Sequence, residues 1–376
     1  MPPLGQSTPL VPPLYQSSVF TLPDLDALDH ILNAEQPGFI YARDGHPNAR
    51  FLADQMAALE RADWAVICGS GMAAITATVL TLTQQGDRIV ASNSLYGRTA
   101  QLLNQELPRY GIQTTFVDSR DLNAVAAALD KPAKLALVET ISNPLLCLAD
   151  IQALAELAHA RGCTLVVDNT FATPALVKPL ELGADFVVES LTKVIGGHSD
   201  VTLGAVCGSG DFLAQVTPIL SIWGLASNPF DCWLAARSLP TLGLRMRTAS
   251  TNAAALADWL AEQGGVAQVL YPGRTDHPDH ELARRLLPNG SGNMVTFELE
   301  GGREAVNRFM RKARGIPFSP SLGHTTTTCS HPGTTSHRYV SPAEKRRQGI
   351  SDGHIRLSVG VEDFQNIQRE MARGLP

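Results

Sequence analysis

The stretch "ESLTKVIGGHSD" sets Lys193 directly after Thr192 and before a pair of glycines, with Ser190 three residues upstream and the apolar run "ADFVV" just ahead. A lysine amine in such surroundings can add to a carbonyl once burial lowers its basicity. Asp168 follows the apolar run "TLVV" and offers a carboxylate to a cationic group, while Asn143 lies just beyond "LALV" and Glu139. Gly69-Ser70-Gly71-Met72 follows "WAVIC" and opens a helical pattern. That kind of turn presents unpaired N–H groups and a positive dipole end, which suit a phosphate. Taken singly, each feature has an ordinary explanation. Glycine serves tight strand-to-helix turns everywhere, Asp168 could cap a helix, and most lysines are solvated.

The elements around these residues bring them together. "WAVICG", "DRIVAS", "TTFVD", "LALVET", "TLVVDN" and "ADFVVES" are short runs rich in Val, Ile and Leu, and amphipathic segments such as "ARFLADQMAALERA" and "DIQALAELAHARG" alternate with them. This alternation predicts an α/β fold with a mostly parallel sheet covered by helices on both faces. In open parallel sheets ligands bind beyond the carboxyl ends of the strands. The anion-binding turn, Asp168 and Lys193 therefore share one edge. Pyridoxal 5'-phosphate requires that combination: a helix N-terminus and hydroxyls for its phosphate, an amine for its aldehyde, and a carboxylate that keeps its ring nitrogen protonated. Lys131, Lys134, Lys178, Lys312 and Lys345 have no such neighbours in sequence.

The first forty or so residues are rich in Pro and Ser with little helical period, and read as an extended arm over 1–44. A cofactor-binding domain is expected over 45–235 and a smaller C-terminal α+β domain over 236–376, after a long helical stretch interrupted by Pro240 and Gly243. With 376 residues and 44% apolar content the chain can fill both cores. Its formal net charge is -6, without any run of five or six like charges, which argues against nucleic acid or an anionic membrane surface as partner. The six cysteines form no C-x-x-C pair, so reduced thiols and no metal site are expected. No apolar run approaches the roughly 20 residues that span a bilayer, and a cytoplasmic protein is expected.

Beyond these patterns, "SLTKVIGGHSD" resembles the pyridoxal-lysine signature of the Cys/Met metabolism enzymes, the group of cystathionine γ-synthase, cystathionine γ-lyase and methionine γ-lyase within fold-type I. The likeness runs through "VPPLYQSSVF", "YARDGHPNAR", "GSGMAAI", "LYGRT", "VETISNPLL", "VVDNTFATP", "NPFDCWLAARSLPTLGLRMRTASTNA", "YPGRTDHPDHELA", "SHPGTTSH" and "GISDGHIRLSVGVED". The resemblance implies that Lys193 binds the cofactor and then moves protons on the substrate. It implies Asp168 at the pyridine nitrogen as part of the catalytic machinery, Ser70, Gly71, Met72, Ser190 and Thr192 at the phosphate, Tyr96 stacked on the ring and taking part in proton transfer, and Asn143 near the phenolic oxygen. Arg356 would clamp the substrate α-carboxylate with Ser321 beside it. Tyr41 and Arg43 would reach the phosphate of a neighbouring subunit, so a homo-oligomer is implied, commonly a dimer of dimers.

The expected chemistry is cleavage or exchange of a bond at Cγ or Cβ of a sulfur amino acid, with a methionine or cystathionine γ-lyase leading. The alternative is a γ-replacement transferase, a cystathionine γ-synthase or O-acylhomoserine sulfhydrylase. Two departures from the family pattern bear on this. Pro320 stands before "SLG" where many cystathionine-handling members carry glutamate, which favours a less polar tail. Arg98 stands where methionine γ-lyases carry cysteine, and a guanidinium there could recognise an acylated or acidic tail.

Overall fold

The structure, a computed structural model, describes residues 7–376; the first six residues of the expected arm lie outside the described residues. Seven strands form the larger sheet: β1 (Trp64–Cys68), β2 (Arg88–Ser92), β3 (Gln113–Val117), β4 (Leu135–Glu139), β5 (Thr164–Asp168), β6 (Phe186–Glu189) and β7 (Gly204–Gly208), in the order β1-β7-β6-β5-β4-β2-β3. Pairs β2–β3, β2–β4, β4–β5 and β5–β6 are parallel. β7 runs antiparallel to both β1 and β6. The reason lies in the connection 190–203, which carries Lys193 and contains turns but no helix, so the chain re-enters the sheet without the crossover that parallel pairing needs.

Helices cover both faces. Leu52 and Met56 of Pro47–Glu60, Val125 and Leu129 of Leu122–Leu129, Leu154 of Ile151–His159 and Cys232 of Pro229–Ser238 fill one core. Ile75 and Val79 of Gly71–Leu82 and Val216 of Leu213–Ile222 pack with Trp64, Ile89 and Phe186 on the other. Residues at all five positions of β4 and β7 are buried, as strands covered on both faces must be.

A second sheet has the order β10-β11-β9-β8, from β8 (Val266–Leu270), β9 (Met294–Leu299), β10 (Thr328–Ser330) and β11 (His354–Ser358), all antiparallel. Phe309 of the helix Gly302–Lys312 and Met371 of Phe364–Gly374 pack on it. The helix Leu242–Ala261 joins the two cores: Leu242 and Met246 sit in the first, Leu256 and Leu260 in the second. A 3-10 turn at Leu239–Thr241 separates this helix from Pro229–Ser238, so the long helical stretch breaks at Pro240 but not at Gly243. Proline lacks an N–H and disrupts a helix interior, whereas glycine costs only about 1 kcal/mol there.

The arm crosses the surface but is not extended throughout: Leu25–Leu32 form a helix, started by the Asp24 side chain accepting from Ala27 N. Trp233 Nε1 donates to the Pro12 carbonyl at 2.9 Å, Asn48 accepts from Tyr15 N and donates to the Pro13 carbonyl, and Val19 bridges Tyr41. Leu10, Val11 and Val19 remain exposed. All six cysteines are free, and only Cys147 is not fully buried. Among the described residues no helix is long and apolar enough to cross a membrane, and no group of His, Cys, Asp or Glu could hold a metal ion.

Candidate active site

A cavity of about 550 Å³ opens where the carboxyl ends of the large sheet meet the second sheet. Ser70, Gly71, Met72, Tyr96, Asn143, Asp168, Ser190, Thr192, Lys193 and Arg356 all line it. Lys193 stands in the turn after β6, and its Nζ donates to Ser321 Oγ at 2.9 Å. Burial, and then the positive charge of Arg356, pushes the amine down to about 8. Roughly a tenth of the amine is then neutral at pH 7, far more than for a solvated lysine, as a nucleophile or base requires.

Asp168 ends β5 and accepts from Thr170 N at 3.0 Å. Burial raises its carboxyl above the ordinary range, against the lowering effect of the Thr170 hydrogen bonds. Glu139 is its register partner on β4. The two oxygens of Glu139 accept from Tyr96 N and Asn143 N, and burial followed by the Asp168 charge raises this carboxyl strongly.

Ser70 caps the helix Gly71–Leu82, its Oγ accepting from Ala73 N at 3.0 Å. Helix geometry leaves the leading N–H groups of Gly71 and Met72 without an intrahelical acceptor. A side chain at Gly71 would meet Ser190 Cβ at 2.8 Å, and one at Gly204 would meet the Ser70 carbonyl oxygen at 2.3 Å. Ser190 N donates to Thr170 Oγ1, and Thr192 Oγ1 both accepts from Leu203 N and donates to its carbonyl. These bonds fix the hydroxyl-bearing turn against the helix terminus.

Arg356 lies within β11 and is 3% exposed, so burial lowers it to about 10. Its Nη1 donates to Asn143 Oδ1 at 2.7 Å and its Nη2 to the Ser321 carbonyl at 3.2 Å. Its Nε is buried without a partner. Ser321 thus touches both Lys193 and Arg356. Tyr41 and Arg43 lie elsewhere on the chain, with the Arg43 guanidinium 5.2 Å over the Tyr41 ring and Arg43 lining a separate cavity of about 390 Å³.

Sequence reasoning left several lining residues without a role. Glu139 was visible only as a residue after an apolar run, and its register with Asp168 is the missing signal. Thr170 and Phe171 were hidden inside "VVDNTFATP". Thr334, Thr335, Ser336, Arg338 and Tyr339 come from the loop containing "SHPGTTSH", whose distance from Lys193 along the chain concealed their proximity. Arg98 and Pro320 line the same cavity.

These residues fit pyridoxal 5'-phosphate. A glycine-walled helix terminus receives a phosphate, a half-buried carboxyl to which Thr170 donates suits a cationic ring N–H, and a lysine of lowered basicity lines the same cavity. A profile of the Cys/Met metabolism PLP-dependent enzymes matches residues 4–376. The chain is 45% identical to O-succinylhomoserine sulfhydrylase of Pseudomonas aeruginosa, over 91% of this chain and 84% of that one. It is 38% identical to L-methionine γ-lyase of Pseudomonas putida, over 97% and 92%. Cystathionine γ-synthase of Xanthomonas oryzae, solved with cystathionine, superposes with a TM-score of 0.92 at 36% identity, covering 97% of this chain and 92% of the other. The chain belongs to the Cys/Met metabolism PLP-dependent enzymes, fold-type I enzymes acting on sulfur amino acids.

Proposed function

We propose that this enzyme catalyses γ-replacement, exchanging the acyloxy group of an O-acylhomoserine for a sulfur nucleophile. The sequence put a γ-lyase first and this reaction second; the cavity supports the second. Thr334, Thr335, Ser336, Arg98 and Arg338 bring hydroxyls and positive charge to one part of its lining, beside the apolar Pro320 and Leu322, while Glu139 and Asp168, the carboxyls among the described lining residues, lie at strand ends of the large sheet. That lining suits an oxygen-rich ester. A methylthio group would meet the apolar Pro320 and Leu322 but leave Arg98 and Arg338 without an anion.

The bound cofactor supplies an electron sink for negative charge developing on the substrate carbons. Ser70, Gly71, Met72, Ser190 and Thr192 would hold its phosphate, Asp168 its ring nitrogen and Tyr96 its face, with Asn143 beside it. Arg356 binds the α-carboxylate through its fork, an arrangement pre-set by Asn143 and the Ser321 carbonyl. Lys193 takes the Cα proton and serves the Cβ proton in turn, its Nζ steered by Ser321 Oγ. The Cγ–O bond then breaks with loss of a carboxylate, and sulfur bonds to Cγ while the thiol proton passes to solvent.

In this reading the arm 1–44 belongs to a homo-oligomer in which Tyr41 and Arg43 complete a neighbour's phosphate site, with 45–235 and 236–376 as the two domains and the cytosol as the compartment. The exposure of Tyr41, Leu10, Val11 and Val19 supports a covering partner. Assay of the purified enzyme with O-acylhomoserine and sulfide or cysteine tests the reaction: carboxylate release should depend on the added sulfur nucleophile. Release of ammonia and a 2-oxo acid from methionine or cystathionine alone, without ester turnover, would restore the lyase.

A further inference from the structure

We propose that Arg98, stacked on Tyr339, selects a homoserine ester whose acyl group ends in a carboxylate. The inference rests on the γ-replacement reading and names its substrate class. Gly97 lies so close to the loop bearing Tyr339 that a side chain there would meet the Ser336 carbonyl oxygen at 2.2 Å. The next residue, Arg98, is thereby held against that loop. Its guanidinium lies 4.3 Å over the Tyr339 ring, with Nη2 donating to Tyr339 Oη at 3.1 Å and Nη1 to Gln101 Oε1 at 2.8 Å.

Both acceptors are neutral. A guanidinium carries five N–H donors, so donors remain for an anion at the edge of the stacked plane. Stacking on an aromatic face leaves that edge free for the planar fork that arginine offers to carboxylates, and it fixes the side chain before the ligand arrives. The Arg338 guanidinium, 6.0 Å from the centre of the same ring, adds positive charge.

Arg356, buried on β11, and Arg98, at the mouth, then stand at two places in one cavity. They match the two carboxylates of a homoserine hemi-ester of a dicarboxylic acid. An acetyl ester would leave Arg98 unused. The distal end of cystathionine pairs its carboxylate with an ammonium, and that positive charge weakens its attraction to two guanidinium groups relative to a bare carboxylate.

The test compares O-succinyl-, O-acetyl- and O-phosphohomoserine as substrates of the holoenzyme with sulfide. It also measures binding of the unreactive diacid 2-aminononanedioate against 2-aminononanoate by calorimetry. The wild type should prefer the succinyl ester, and Arg98→Gln should lower the succinyl-to-acetyl ratio of kcat/KM by about tenfold or more, mainly through KM. Arg98→Lys should recover part of the ratio, and Arg98→Gln should remove the diacid's binding advantage over the monoacid. An unchanged ratio in Arg98→Gln, or a wild-type preference for the acetyl or phosphate ester, overturns the inference while leaving γ-replacement intact. Absence of carboxylate release from every ester overturns the reaction reading and this inference with it.

Discussion

The Arg356 guanidinium donates from Nη1 to Asn143 Oδ1 at 2.7 Å, across the junction between β11 and the loop after β4. The contact makes the substrate-carboxylate fork a joint product of both sheets. With Nε buried and unpartnered, the guanidinium keeps a donor for an anion, and a carboxylate would repay some of the cost of burying its charge. Arg356→Ala should weaken substrate affinity by about 2–5 kcal/mol, read as a rise in KM. Arg356→Lys should recover little, because a single ammonium cannot fork. An Arg356→Ala enzyme with unaltered affinity would remove this residue from the site.

At the opposite side of the cavity the cradle is steric. Gly71→Ala would push a methyl to 2.8 Å from Ser190 Cβ, and the turn must open to relieve it. Equilibrium dialysis should find cofactor affinity reduced while the unfolding midpoint of the cofactor-free protein changes little. Gly204→Ala meets the Ser70 backbone oxygen at 2.3 Å, and backbone cannot step aside as a side chain can. That variant should lose both cofactor affinity and several degrees of stability. If both variants bind the cofactor as the wild type does, the phosphate does not sit at this helix terminus.

The parts of the site carried by strand ends were legible in the sequence, because a buried parallel strand is a short apolar run and its next residue is automatically at the ligand edge. Asp168, Lys193 and the turn at Ser70 emerged that way. Arg356 and Ser321 needed family resemblance, since their approach to Lys193 depends on how the second sheet docks. The direction of β7 was hidden for a related reason: an apolar run has no intrinsic polarity, and only the helix-free connection 190–203 fixes it. Residues 334–339 were out of reach because loop contacts such as Ser336 against Gly97 arise from tertiary packing rather than any local period.

Lys193 gives a pH prediction with a definite sign. Addition to an aldehyde needs the neutral amine, and burial with the nearby Arg356 charge lowers this amine to about 8. The rate of cofactor capture by the cofactor-free protein should climb as pH rises through about 8 and then level. A solvated lysine would still be gaining above pH 9. Stopped-flow absorbance after adding pyridoxal 5'-phosphate measures the profile, and a rate that keeps rising past pH 10 contradicts the lowered basicity. Lys193→Ala should abolish turnover and borohydride-trapped attachment; steady-state activity in that variant would sink the assignment.

Behind the cavity, Glu60 at the end of the helix Pro47–Glu60 and Glu189 at the end of β6 are both completely buried. Asn169 Nδ2 donates to Glu60 Oε1 at 3.4 Å, but Glu60 Oε2 and both Glu189 oxygens have no protein partner outside the pair. Burial raises Glu60 to about 7, opposed by hydrogen bonds from Glu189 and Asn169 and by the Lys178 charge; burial, then the charge of Glu60 and further that of Asp168, raises Glu189 well above its ordinary value. Both carboxyls therefore hold protons in the folded state that the unfolded chain releases near pH 4.5. The unfolded state binds fewer protons over that interval, so stability falls as pH rises from about 4.5 through about 7, by on the order of 3 kcal/mol for Glu60. Glu189→Gln, which keeps the shape and removes one charge, should flatten this slope and raise the unfolding midpoint at pH 8 more than at pH 5. The measurement is the pH dependence of the thermal midpoint of wild type and variant with cofactor saturating. Parallel curves for the two proteins would mean that the pair is not protonated in the folded state, and that its carboxyls find a counter-charge elsewhere.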